Sequence, residues 1–309
     1  MNEQKISIVV LTYNREDEIK RNLNELKQIS YSPLEIIVVD NCSATPVSSF
    51  IHDETVKIVR MPNNLGVAGR NEGVKVAQGE IIVTLDDDVF GFNDQAIAEL
   101  IRIFQDSTIG AVNFKVIDDL TEKQVNWCHK RKIEECGDQT FDTVEISEGA
   151  IAFRRAAIND AGFYPEYFFI SHEGPDLALR IMNLRYRVIY HPKIIVRHSH
   201  AVAGRPGWRR YYYDTRNQIW LLARLFPVSI GWRKAVIGLG AMFVYALRDG
   251  YFLYWLKGIR DGLLGVRRAY KDRTNIDVET WRRYKAIQKH NAGFFYMVKK
   301  RLFSRSVRI

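Results

Sequence analysis

Four runs rich in Val and Ile, "ISIVVLT", "LEIIVVD", "TVKIVRM" and "EIIVTLD", recur through the first 90 residues, and polar or acidic side chains follow most of them. Strands so apolar have no face to give to water, so each must be covered on both sides. The intervening segments supply the cover. "REDEIKRNLNELKQI" places Ile19, Leu23 and Leu26 at helical spacing. "GVAGRNEGVKVAQG" reads as a helix opened by Asn64-Leu65-Gly66 and closed by Gly79, and "NDQAIAELIRIF" as one capped by Asn93. Strands alternating with helices predict an α/β fold: a Rossmann-like, mostly parallel central sheet with helices on both faces. In such sheets ligands sit beyond the carboxyl ends of the strands, near a switch in strand order. Asn14, Asp40 and Asp86 fall at those ends.

At 309 residues, 47% hydrophobic and 26% charged, the chain has enough apolar material for a large core, which excludes a disordered polymer. The opening "MNEQKISIVVLTYNRE" is not that of a signal peptide, because its apolar stretch is short and runs into Asn14, Arg15 and Glu16. Cys42, Cys128 and Cys136 are too few and too scattered for a disulfide framework or zinc site, so a reducing cytoplasm is the expected setting. Charge is uneven: residues 204–309 carry 23 Lys/Arg against 6 Asp/Glu, and residues 1–203 carry 22 against 30. The two regions are expected to differ in role. The division is placed at residues 203/204, in the Gly204–Gly207 segment, giving an α/β domain over 1–203 and a basic, amphipathic helical region over 204–309.

The fourth run ends in Asp86, Asp87 and Asp88. At about 6 Å and an effective dielectric near 20, two carboxylates repel by roughly 3 kcal/mol. A solvated acidic turn tolerates that, and a divalent cation reverses it.

Together, "VVLTYNRE", "IIVVDNCS", "NNLGVAGRNEG", "VTLDDDV", "GAIAFRRAAINDAGF", "HEGPDLALRI" and "VRHSH" resemble, in order and spacing, the signatures of family 2 glycosyltransferases, which have the GT-A fold. The likeness covers roughly residues 5 to 200, and "YYYDTRNQIWLLAR" resembles the following segment of the rhamnosyltransferase-like branch. It implies inverting transfer of a sugar from a nucleoside diphosphate donor, assisted by Mg²⁺ or Mn²⁺. On that reading Asp86 serves the ribose hydroxyls with Asp87 beside it on the donor side, and Asp88 holds the metal. His198 completes the metal site or touches the diphosphate, and with period-two alternation His200 shares its side. Asp40 is placed to accept the N3–H of uracil or thymine, which favours a UDP- or dTDP-sugar, dTDP-rhamnose among them. Its other reading is a loop carboxylate capping the next segment. Thr12, Tyr13 and Asn14 are expected around the base, Tyr13 alternatively in the core. Arg70 and Asn71 are expected on the donor, where Gly66, Gly69 and Gly73 permit close backbone approach; a solvated helix surface is the alternative for Arg70.

Inversion needs a base opposite the leaving group. Many relatives read Glu-Asp where this chain has Glu173-Gly174, and in them that Asp is the base. Glu173, just ahead of a helix whose first turn holds Pro175, is the first candidate and Asp176 the second. Asp176 alternatively steadies the helix dipole and pairs with Arg180 at i+4. Glu148 and Gly149 are assigned to the acceptor side.

In the basic region the longest uncharged stretch, Ala235 to Leu247, is 13 residues, short of the ~20 that span a bilayer. Helices lying on the anionic inner leaflet explain its composition, as does an ordinary helical subdomain or a dimer interface. "RPGWRRYYYDTRN" clusters Arg with Tyr, but no recognition motif accompanies it, so a nucleic-acid partner is not expected. The expected acceptor is a saccharide or lipid-linked glycan of a bacterial-type surface polymer. Two other readings stand beside this: a nucleotide-dependent transferase acting on another substrate such as a polyprenyl phosphate, and a non-catalytic relative that binds membrane or partner.

Overall fold

In a computed structural model, residues 4–199, 207–293, 296 and 299 are described. Nine strands make one sheet: β1 (Ile6–Thr12), β2 (Leu34–Asp40), β3 (Val56–Arg60), β4 (Ile81–Asp86), β5 (Val89–Phe90), β6 (Ile109–Asp118), β7 (Phe141–Asp142), β8 (Ala150–Arg154) and β9 (Arg187–His198). Their order is β3-β2-β1-β4-β8-β6-β9-β5, with β7 also on β9. The helices are α1 (Glu16–Leu26), α2 (Arg70–Val76), α3 (Asp94–Phe104), α4 (Ile133–Cys136), α5 (Arg155–Ala161), α6 (Glu173–Asn183), α7 (Trp208–Leu225), α8 (Val228–Arg248), α9 (Phe252–Lys271) and α10 (Val278–Gln288).

The parallel expectation holds over β3-β2-β1-β4 and for β6 beside β9, whereas β8 runs antiparallel to both neighbours and β5 and β7 antiparallel to β9. After β1 the chain builds outward through β2 and β3, then returns for β4 on β1's other side. That reversal opens a crevice at the carboxyl ends of β1 and β4, where Leu11 pairs with Asp86.

Alternate residues of each strand feed opposite faces. Val9 and Ile82 join one buried cluster, while Ile6, Ile8, Val10, Ile81, Val83 and Leu85 join the other. Each such side chain, fully buried, contributes roughly 1.5–3 kcal/mol. On the second face α1 buries Ile19, Leu23 and Leu26, and α3 starts where Asn93 accepts from Ala96 N at 3.1 Å. The Gly-rich helix is shorter than expected. Gly66–Gly69 form a 3-10 turn, α2 ends at Val76, and Gly79 is not its cap but lies against Ser7. The glycines of this stretch permit approach to protein rather than to a ligand: Gly66 abuts Phe169, and Gly73 abuts Val9 and Val39.

The basic helices share the first cluster. Trp220, Leu221, Leu222, Leu225 and Phe226, with Ala269, Ile276 and Tyr284, pack into the same core as Phe153, Phe168 and Leu177. The proposed division at 203/204 lies outside the described residues.

Candidate active site

Two loops frame the crevice. After β1, Asn14 adopts a left-handed conformation, φ 55°. Its N–H donates to Ser43 Oγ (3.0 Å) and its side chain accepts from Ala44 N (2.7 Å), tying this loop to the one after β2. Between them lies an open cleft of about 290 Å³ lined by Thr12, Asn14, Arg15, Ser43, Thr45 and Phe50, among others. Tyr13 is exposed, not core.

Asp40 departs from its expected role. It is wholly buried, accepting from Ser43 N (2.8 Å), Val47 N (3.1 Å) and Arg60. With both oxygens engaged it caps its own loop, and the base-reading assignment is corrected accordingly. Asn71 is corrected too. Its amide exchanges hydrogen bonds with the Tyr164 backbone (2.9 and 3.1 Å), so it fastens α2 to the 164 loop instead of facing a donor.

The acidic triplet divides. Asp86, one-third exposed, pairs with Arg70, itself 2% exposed and therefore no solvated helix residue. Asp87 is buried against Thr12 and Arg15, and burial raises its carboxyl to about 7. Asp88 accepts from Arg15 and, at 3.1 Å, from His198. Burial opposes its charge, but the His198 and Arg15 interactions outweigh burial and hold it well below the usual carboxylate range. His198 is delivered by the ladder pairing with Val89, one residue past Asp88. Arg70 and Arg15 thus offset the triplet and His198 pairs with Asp88, so a bound ion is not needed to explain why it is tolerated. Sequence reasoning missed Arg15; its place at the carboxyl end of β1, beside Asn14, was the available signal.

One oxygen each from Asp86 and Asp88 and one nitrogen of His198 lie within 4.8 Å of one another. Donors around one ion with ~2.1 Å bonds stand roughly 3–4 Å apart, and hard carboxylates with an imidazole suit Mn²⁺ or Mg²⁺. The residues fit such an ion. His200 lies outside the described residues.

Opposite this cluster, α6 begins at Glu173, which is helical rather than ahead of the helix. Burial raises the Glu173 and Glu148 carboxyls above the usual range, and Glu173 Oε2 has no hydrogen-bond partner. Asp176 is corrected. Fully buried, it is held by Arg180 (2.6–2.7 Å) and Arg224 (2.8 Å) and faces no substrate, although its pairing with Arg180 is as expected. Gly149 fits where it must: a Cβ there would fall 2.3 Å from Asp86 Oδ2.

The loop leading into α6 is strained. Phe169, Ser171 and His172 all have positive φ, a conformation costing of order 1–3 kcal/mol each unless the surroundings enforce it. Here α7 does so: Asn217 donates to the carbonyls of Phe168, Ile170 and Ser171 (2.8–2.9 Å), and Asp214 accepts from Ser171 Oγ (2.6 Å). Asn217→Ala is expected to destabilise the fold by about 2–4 kcal/mol, from several buried carbonyls losing a donor. It should also lower turnover more than donor binding. Urea melts and steady-state kinetics check both.

A crevice at a sheet switch point, with an acidic cluster beside it, is the arrangement of the GT-A fold. Solved structures agree on the fold. The mannosyltransferase PcManGT of Pyrobaculum calidifontis, in complex with GDP-Man and Mn²⁺, matches 98% of this chain and 88% of its own with TM-score 0.55 and 19% identity. TarS 1–349 of S. aureus with UDP-GlcNAc matches 87% and 84%, with TM-score 0.55 and 19% identity. The sequence model of glycosyl transferase family 2 matches residues 7–163, and the chain belongs to that family. It is similar to the O-antigen chain rhamnosyltransferase RfbN of Salmonella typhimurium (strain LT2), 26% identical over 233 residues, covering 67% of this chain and 70% of the relative. The chain is a glycosyltransferase.

Proposed function

We propose that the chain transfers a sugar, with inversion, from a nucleoside diphosphate donor to a saccharide or lipid-linked saccharide hydroxyl in surface-polysaccharide assembly. The observation that carries this reading is the convergence of Asp86, Asp88 and His198 at the switch-point crevice. Similarity to RfbN supports a deoxyhexose donor such as dTDP-rhamnose, with UDP-sugars the alternative. Because Asp40 is engaged in its own loop, the base is read by the rest of the cleft: Thr12, Asn14, Ser43 and Thr45. Asp86 and Arg70 flank the ribose and phosphates. Asp86, Asp88 and His198 would hold Mn²⁺ or Mg²⁺, which supplies charge neutralisation for the departing diphosphate. Arg15 keeps Asp88 ionised and oriented. The carboxyls at the start of α6 and just before β8, Glu173 and its neighbour Glu148, provide the base on the opposite face.

A thermal-shift screen of sugar nucleotides with Mn²⁺ tests the donor. Ligand at about 100 times its Kd stabilises by roughly 2.7 kcal/mol, so a dTDP- or UDP-sugar should raise Tm by a few degrees and release its diphosphate with acceptor. No shift with any donor, and no diphosphate released, removes the transferase reading.

The cytoplasmic face of a membrane is the proposed setting. Among the described residues, α8 alone is long and apolar enough to cross a bilayer, longer than its uncharged stretch implies, and only 11% of its apolar window is buried. Trp232, Val236, Ile237, Val244 and Leu247 on α8 and Leu253, Leu263 and Leu264 on α9 are exposed. Arg233, Lys257, Arg260 and Arg267 lie among them. An apolar face edged with cations suits the headgroup boundary of an anionic leaflet, each cation adding about 1 kcal/mol. Co-sedimentation with phosphatidylglycerol vesicles is expected, and Trp232→Ser with Leu264→Ser should weaken it at least tenfold, about 1.4 kcal/mol. Equal sedimentation of the double variant removes the membrane assignment.

A further inference from the structure

The head of α6 meets a carboxylate from another strand. Gly174 has no side chain, and a Cβ built on it would fall 2.4 Å from Glu148 Oε1 and 2.8 Å from the Ile146 carbonyl. Glu148 therefore fills the space that a side chain at position 174 would need. On its other flank Gly149 lies hard against Asp86, and Thr84 Oγ1 donates to the Glu148 carbonyl at 2.7 Å, fixing the backbone. Glu148 thus bridges the donor side of the crevice and the start of α6. The two carboxyls differ in access. Glu173 is 3% exposed with Oε2 sealed from solvent, whereas Glu148 is partly exposed. A base must reach the proton it removes, and the more open carboxylate has the reach.

We infer that Glu148 takes the acceptor's proton, that Gly174 is the opening that lets its carboxylate into the cleft, and that Glu173 positions it from behind. The inference rests on the transferase reading above. The acceptor hydroxyl gives its proton to Glu148, the freed pair forms the oxygen–anomeric carbon bond, and the anomeric carbon–phosphate oxygen bond breaks with its pair on the nucleoside diphosphate. Arg70 from α2, Asp86 from β4, Asp214 from α7 and the Tyr164 phenol face the pair.

Glu148→Gln is expected to lower kcat by about 10²–10⁴-fold and flatten the acid limb of the pH–rate profile, with the donor's thermal shift kept. Glu173→Gln should cost less than about tenfold and keep that limb. The assignment is overturned if Glu148→Gln stays within tenfold of wild type or Glu173→Gln loses more. Wild-type protein that neither binds nor turns over any sugar nucleotide overturns the parent reading instead, before any variant is compared.

Discussion

Replacing Asp88 by alanine is expected to reduce transfer on the order of 10³-fold while leaving the fold intact. The expected loss corresponds to about 4 kcal/mol of leaving-group stabilisation, the several kcal/mol that a bound cation supplies at a developing phosphate charge. Asp88 joins three elements: it ends the turn after β4, accepts from Arg15 at the end of β1, and accepts from His198 at the end of β9. Without it, two of three candidate ligands remain, on separate strands. Arg15 retains Asp87 at 3.2 Å, so its guanidinium keeps a carboxylate partner and the melting temperature should change little. Mn²⁺ titration by electron paramagnetic resonance should show at least tenfold weaker binding, and chelation should silence the wild type to a similar degree. Alanine at 88 with Mn²⁺-dependent turnover within threefold of wild type would falsify the metal assignment.

What the sequence disclosed about this site follows from the range over which each residue acts. β1, β2, β3 and β4 were legible because their Val and Ile runs are buried on both faces, a property written locally. Asp86 was marked by its place at a strand end, whereas Asp88 and His198 were pointed to by the family resemblance; the structure brings one ligand atom of each of the three within 4.8 Å of the others. Asp40 and Asn71 were misplaced for the opposite reason. Asp40 is satisfied by groups three, seven and twenty residues on, Ser43, Val47 and Arg60. Asn71 is satisfied by Tyr164, ninety-three residues away. Whether a carboxylate or amide is free for a ligand depends on partners that no local pattern reveals. Arg224 and Asn217 were invisible on the same ground. Nothing in the pattern of the basic segment marks either, yet one neutralises Asp176 and the other shapes the strained loop before Glu173. The basic region is thus part of the site's support as well as a candidate membrane surface.

Asp176→Ala is expected to be the most destabilising single change in the chain, by about 3–5 kcal/mol, against a typical total of ~5–15 kcal/mol. Its side chain is wholly buried between two guanidinium groups. Arg180 spends its remaining donors on the carbonyls of Ala161 and Phe163, and Arg224 donates to Tyr167 Oη at 2.9 Å. Deleting the carboxylate leaves Arg180 in low dielectric without a counter-ion and Arg224 with only the half-exposed Asp272 at 3.7 Å, and neither side chain is free to swing to water. Asp176→Asn keeps the shape but not the charge, so it should fall between wild type and alanine. The expected readouts are a lower urea midpoint, less soluble protein, and a donor-induced thermal shift that survives in the folded fraction. That last measurement separates structure from chemistry. If Asp176→Asn were as stable as wild type yet failed to transfer sugar, Asp176 would return as a participant in proton transfer, and the buried ion cluster would lose its role as the clamp joining α6 to α7.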